Sequence, residues 1–123
     1  PEHEGRIVLI RRKIDPRIGY WSFPCGFMEV DETTQQAAVR ETREETNLEV
    51  ELGSHLGTYS YPKSWWGGSV VIVTYRATIV SDPVPRAGDD AAEAKFFASD
   101  EIPWDQLAFK SSTEALRHWL EGR

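Results

Sequence analysis

The chain is poor in several features that would assign it a role at once. It has a single cysteine, Cys25, among 123 residues. That excludes an intrachain disulfide and a Cys-rich metal ribbon, and it suits a reducing, cytoplasmic compartment. No apolar run approaches the length of a membrane span, and no signal peptide is visible. Positive charge is scarce: 14 Lys and Arg against 20 Asp and Glu leave a net charge of −6. Neither nucleic acid nor an anionic membrane is therefore an expected partner. A phosphate-bearing ligand would need local arginines or bridging cations. There are no repeats, low-complexity segments or linkers, and the length fits one compact domain with a modest core. An initial methionine is also missing. The chain opens on Pro1 and enters strand-like sequence almost at once, so an N-terminal truncation is expected, with a sheet edge left unpaired.

What is present reads as ordinary globular sequence, 40% hydrophobic and 28% charged. "RIVLIRR" (Arg6 to Arg12) is apolar and β-branched, a strand. "KIDPRIG" is a loop broken by Pro16 and Gly19. "YWSFP" is a short extended segment, and "LEVELGSHLGTYSY" offers alternating strands punctuated by glycine. "SVVIVTYRATIV" (Ser69 to Val80) predicts a long central strand. After the loop "SDPVPRAGDD" come a strand at Ala92 to Ala98 and a closing helix, "SSTEALRHWLEG". That helix carries an apolar stripe of Ala115, Leu116, Trp119 and Leu120. Strands with two irregularly placed helices predict an α/β fold with a mixed sheet rather than a doubly wound one.

Thr33 and Gln36 form a Thr-x-x-Gln capping box, and Asn47 is a residue that tolerates the left-handed turn after a helix. A helix of roughly thirteen residues is expected between them. Glu41, Glu44 and Glu45 share one face of it, together with Ala37, Ala38 and Leu48, while Val39, Thr42 and Thr46 fall opposite. Mixed charges on a helix commonly mark no more than a solvated face. Three carboxylates in one turn repel one another, however, and a divalent cation would remove that cost. Pro24 and Gly26 lie in the turn before the helix, where glycine lets a backbone carbonyl approach. From "RETREE" alone both readings stand.

From Gly26 to Leu48 the sequence resembles the Nudix box. The matching positions are Gly26, Glu32, Arg40, Glu41, Thr42, Glu44, Glu45, Asn47 and Leu48. Thr42 stands where an apolar residue is usual, and Asn47 replaces a glycine. The resemblance implies an α/β/α sandwich with a mixed sheet, and Mg2+ or Mn2+ ligated by Glu41, Glu44 and Glu45. It implies a fourth ligand in the Cys25 backbone carbonyl, Arg40 orienting Glu44, and Glu32 fixing the loop. A further acid often assists in such proteins, and Asp90 and Glu93 are the candidates.

"GYWSFPCGFMEVDET" and "EAKFFASDEIPWDQLAFKSS" extend the likeness toward the ADP-ribose and FAD pyrophosphatase branch. The expected reaction is hydrolysis of a nucleoside diphosphate linked to another moiety, on a nucleotide-sugar or dinucleotide substrate. Two alternatives are a nucleoside triphosphate pyrophosphohydrolase and a non-catalytic nucleotide-binding module. Retention of every box glutamate favours an enzyme. Tyr61, Trp65 and Trp66 are candidates for stacking on a base. Arg11, Arg12 and Arg76 are candidate phosphate contacts, each competing with a plain surface role. Relatives of this kind are frequently homodimers, so a homodimer is expected.

Overall fold

A computed structural model describes residues 1–65 and 67–122. Its elements are β1 (Glu2–His3), β2 (Arg6–Arg12), β3 (Trp21–Ser22), α1 (Thr34–Thr46), β4 (Val50–Tyr61), β5 (Val70–Ile79), β6 (Ala91–Phe97), a short 3-10 turn (Trp104–Gln106) and α2 (Lys110–Glu121). The mixed sheet is organised around β2. One side of β2 pairs antiparallel with β6 along its length. The other side is shared: β1 takes the first half through Glu2↔Ile7, and β3 takes the second half through Ile10↔Ser22. β1 then runs parallel to β5, and β5 pairs antiparallel with β4. Because β1 is only two residues long, the sheet splits beyond it, and a cleft opens between β3 and β5.

Alternation along β2 builds the two cores. Ile7 and Leu9 face α2 and pack with Trp21, Phe97, Leu116 and Trp119. Val8 points to the other face and packs with Leu48, Val50, Ala77 and Ile79, against Val39 of α1. The result is the expected α/β/α sandwich, with one helix on each face of a mixed sheet. The apolar stripe of α2 is buried as predicted at Ala115, Leu116 and Trp119.

α1 begins and ends where its caps predict. Thr33 accepts the Gln36 amide, the Gln36 side chain accepts the Thr33 amide, and Asn47 is left-handed at φ 61°. Its buried face is wider than the sequence suggested. Thr42 and Thr46, expected on the side away from the buried carboxylates, are themselves buried. Each hydroxyl donates to the carbonyl one turn back, Thr42 to Ala38 at 2.8 Å and Thr46 to Thr42 at 2.6 Å. Only a methyl is then left to pack, so threonine serves where the family pattern has an apolar residue.

Two other expectations change. "LEVELGSHLGTYSY" forms one strand, β4, continuing through Gly53 and Gly57 with register irregularities between Leu52 and Gly57. The N-terminal region is paired on both sides by β1 rather than presenting a bare sheet edge. Among the described residues no helix is long and apolar enough to cross a membrane.

Candidate active site

The site is assembled where α1 faces the loop that follows β3. Gly26 decides how close they come: a Cβ there would collide with the Glu41 carboxylate. Opposite, the Cys25 amide donates to Glu45 Oε2 at 2.7 Å. Arg40 is the hub of the charged residues. Its Nε and Nη2 fork onto Glu32 at 2.7 and 2.9 Å, while Nη1 donates to Glu41 at 2.7 Å and Glu44 at 3.1 Å. Nη2 also reaches the Phe27 carbonyl. A planar guanidinium with several donors can hold both the loop and the helix in this way.

The carboxylates fare differently. The Arg40 side chain, and then the Glu29 amide, hold Glu32 down at about 2. Burial raises Glu41, opposed by Arg40. Glu45 is raised to about 8, first by burial and then by the negative charge of Glu41 and Asp90, against the Cys25 amide and Arg12. Glu44 is half-exposed, with 53% of its side chain open to solvent. The Cys25 residue is solvent-accessible but hemmed in. Loss of bulk water and the neighbouring Glu45 push its thiol up to about 12. Protonated, it is a poor soft-metal ligand. Among the described residues no three acidic, histidine or cysteine side chains form a ready-made metal cage, since Glu41 and Glu44 are turned onto Arg40.

Asp90 arrives from the β5–β6 loop, which docks on the C-terminal end of α1. The Gly88 amide donates to the Glu45 carbonyl at 2.9 Å and the Arg86 amide to Thr46 at 2.8 Å, while Asn47 Nδ2 donates to the Arg86 carbonyl at 3.0 Å. A Cβ on Gly88 would overlap the Glu44 carbonyl, so this contact needs glycine. Glu93 is not brought to the group. It pairs with Arg11 across β2 and β6 at 3.4 Å. Along β6 it shares the α2 side with Lys95 and Phe97.

The other candidates are spread out. Arg76 is held by Glu2 through two 3.1 Å contacts. The Tyr61 hydroxyl accepts the Ser111 amide at 2.8 Å in the first turn of α2. Trp65 stands exposed in the β4–β5 loop, and Trp66 lies outside the described residues. Arg12 is buried, donates to the Pro16 carbonyl at 2.6 Å and lies over Phe109. Gly88 and the burial of Arg12 were not anticipated. The clue to Gly88 was its place directly before the Asp89-Asp90 pair.

The cleft beside this site has a cavity volume of about 100 Å³ and runs from Cys25, Ala38 and Thr42 to the start of α2. A family model for the NUDIX domain matches residues 2–120. An ADP-ribose pyrophosphatase of Methanocaldococcus jannaschii is 40% identical over 108 residues, covering 88% of this chain and 62% of that protein. An NAD-capped RNA hydrolase NudC of Vibrio vulnificus is 29% identical over 96 residues, covering 78% of this chain and 35% of that one. The chain thus spans less than two thirds of the length of these two relatives. A crystal structure of a NUDIX hydrolase from Nitrosomonas europaea matches with a TM-score of 0.91 at 36% identity, covering 100% of this chain and 67% of that one. Sequence pattern, sheet topology and these likenesses agree, and the chain belongs to the Nudix family.

Proposed function

We propose that this domain hydrolyses the diphosphate bond of a nucleoside diphosphate linked to another moiety, with ADP-ribose or FAD as substrate and AMP as a product. The observation that carries the reading is the meeting of Glu41 and Glu45 with the Cys25–Gly26 main chain at one end of the cleft, with Glu44 joined to Glu41 through Arg40. The named relative, an ADP-ribose pyrophosphatase, supports the substrate class. The donors are oxygens, which suit a hard cation such as Mg2+ or Mn2+. The negative charge crowded around Glu45 is what such a cation would offset. Glu41, Glu44 and Glu45 with the Cys25 carbonyl would hold it. When bound it supplies charge neutralisation on the diphosphate oxygens.

The chain's own groups divide the remaining work. Glu32 anchors Arg40, and Arg40 keeps Glu41 and Glu44 aligned. Asp90, beside Glu45, would take the proton of the attacking water. Glu93, engaged by Arg11, is the weaker candidate for that task. Arg11 and Arg76 are each committed to a glutamate, so their part in binding phosphate would require exchanging partners. Trp65, Trp66 and Tyr61 belong to the reading as residues for stacking on the base. A cytoplasmic location and a homodimer complete it.

A product assay with Mg2+ or Mn2+ tests the proposal, comparing ADP-ribose, FAD, NADH, dinucleoside polyphosphates and nucleoside triphosphates. Release of AMP chiefly from ADP-ribose or FAD is expected. Preferential turnover of triphosphates would overturn the substrate class, and no turnover of any substrate would overturn the enzyme.

A further inference from the structure

The loop between β5 and β6 leaves the sheet, runs through solvent and is caught again by the end of α1. At its start the Val80 amide donates to the Glu49 carbonyl at 2.9 Å, and Ser81 Oγ accepts the Glu49 amide at 3.1 Å. Asp82, Pro83 and Val84 are then exposed, and Pro83 and Pro85 have no amide to donate. The chain is recaptured at Arg86. Its amide donates to the Thr46 carbonyl at 2.8 Å, and its carbonyl accepts Asn47 Nδ2 at 3.0 Å. Two residues on, the Gly88 amide donates to the Glu45 carbonyl, and the Gly88 carbonyl accepts the Ala91 amide at 3.2 Å. The turn fixed in this way carries Asp90, whose carbonyl accepts the Lys13 amide at 3.3 Å.

Two of these bonds between α1 and the loop join main chain to main chain, at Thr46 and Glu45. The third is made by a side chain, that of Asn47. This residue is left-handed at φ 61° and ψ 21°, a conformation that glycine would take at no steric cost. Ending the helix therefore needs no side chain at this position. The asparagine adds a donor that reaches across 39 positions of sequence to the carbonyl where the loop is recaptured. Aspartate would tolerate the same backbone but bring only acceptors.

We propose that Asn47 is a positioning residue for hydrolysis: its clasp on Arg86 fixes the loop that presents Asp90 beside Glu45. This rests on the hydrolase reading above, with Asp90 as the group that takes the proton of water. It adds what keeps that group in register with α1. Because Glu44 and Glu45 stand in the last turn of the helix that Asn47 ends, one residue links the proposed cation ligands to the proposed base. A base free to wander loses rate without weakening substrate binding.

The test compares the wild type with Asn47→Gly and Asn47→Asp, first by amide hydrogen exchange with metal chelated. Exchange at Arg86 and Gly88 should quicken by about 3- to 10-fold in both variants, while the β2 amides keep their protection. With Mg2+ and ADP-ribose, kcat should fall by about 3- to 10-fold and KM stay within about twofold. The Tm of Asn47→Gly should stay within about 3 °C, since glycine suits the turn. In an Asp90→Asn background, Asn47→Gly should cause no further loss of kcat. Unchanged exchange at Arg86 and Gly88, or unchanged kcat in both variants, overturns the proposal. So does a loss in Asn47→Gly alone, which would trace to backbone freedom rather than to the missing donor. An equal loss with and without Asp90 overturns it as well, because Asn47 would then act through α1. Full activity in Asp90→Asn would refute the base and its positioning together. A wild type that hydrolyses nothing, with exchange quickened in both variants, would refute the hydrolase reading and leave the clasp standing.

Discussion

Glu32 and Glu45 lie thirteen positions apart, one just before α1 and one in its last turn, and their surroundings treat them in opposite ways. Glu32 receives two hydrogen bonds from Arg40 and one from the Glu29 amide, and sits at about 2. Glu45 receives the Cys25 amide, is buried, faces Glu41 and Asp90, and is raised to about 8. A carboxylate with matched donors acts as scaffold. One placed among like charges carries an electrostatic cost, which under the proposed function a bound cation would offset.

Replacing Glu45 is the strongest way to break this contrast. Glu45→Gln should lower turnover of ADP-ribose by at least about a hundredfold. It should leave the circular dichroism spectrum native and, with metal chelated, raise the Tm at neutral pH. A mutant that is inactive because it is unfolded would erase the distinction. Arg40→Ala acts on the other side of the comparison. It strands Glu32, Glu41 and Glu44 without their common donor, so both Tm and activity should fall. Arg40→Lys should rescue little, since an ammonium cannot fork onto Glu32 while reaching two further carboxylates.

The two carboxylates also predict opposite pH dependences of stability in chelated protein. Glu45 moves from an ordinary value of 4.5 to about 8 on folding, so the folded state holds its proton more tightly. Its contribution is fully present below 4.5 and is lost as pH rises through about 8, on the order of 2–4 kcal/mol. Glu32 is lowered from 4.5 to about 2, so its contribution is present above 4.5 and is lost as pH falls through 2. Urea unfolding across that range checks both signs. Glu45→Gln should abolish the neutral slope, and Mg2+ should flatten it in the wild type. The smallest effect belongs to Tyr61→Phe. It removes the acceptor for the Ser111 amide and should cost about 1 kcal/mol in thermal unfolding. Its effect on kcat should be slight, since Tyr61 is engaged by the scaffold at that point.

The candidate site was legible in unequal parts. α1 was readable end to end because its signals are local: a capping box at one end, a left-handed Asn47 at the other, and carboxylates at fixed helical spacing. The contacts among Glu32, Arg40, Glu41 and Glu44 follow from that spacing and from a loop short enough to fold back. The fate of Asp90 and Glu93 was not readable. They are three positions apart in sequence, yet one flanks Glu45 and the other pairs with Arg11 on the far face. A register shift between Arg11 and Arg12, and the close approach of Gly88 to α1, separate them. Buried Thr42 and Thr46 were misplaced because residue hydropathy ignores a hydroxyl satisfied by its own helix.

The sequence by itself determined the two helices, the main strands, the acidic cluster on α1 and the family, since each depends on short-range geometry or spaced residue identity. Only the tertiary structure decided where the sheet splits and that the Gly88 loop caps α1. It also decided that Arg76 is spent on Glu2 and that Asn47 reaches the Arg86 carbonyl. Those outcomes depend on contacts between residues dozens of positions apart, whose pairing is set by sheet register and packing rather than by anything written locally in the chain.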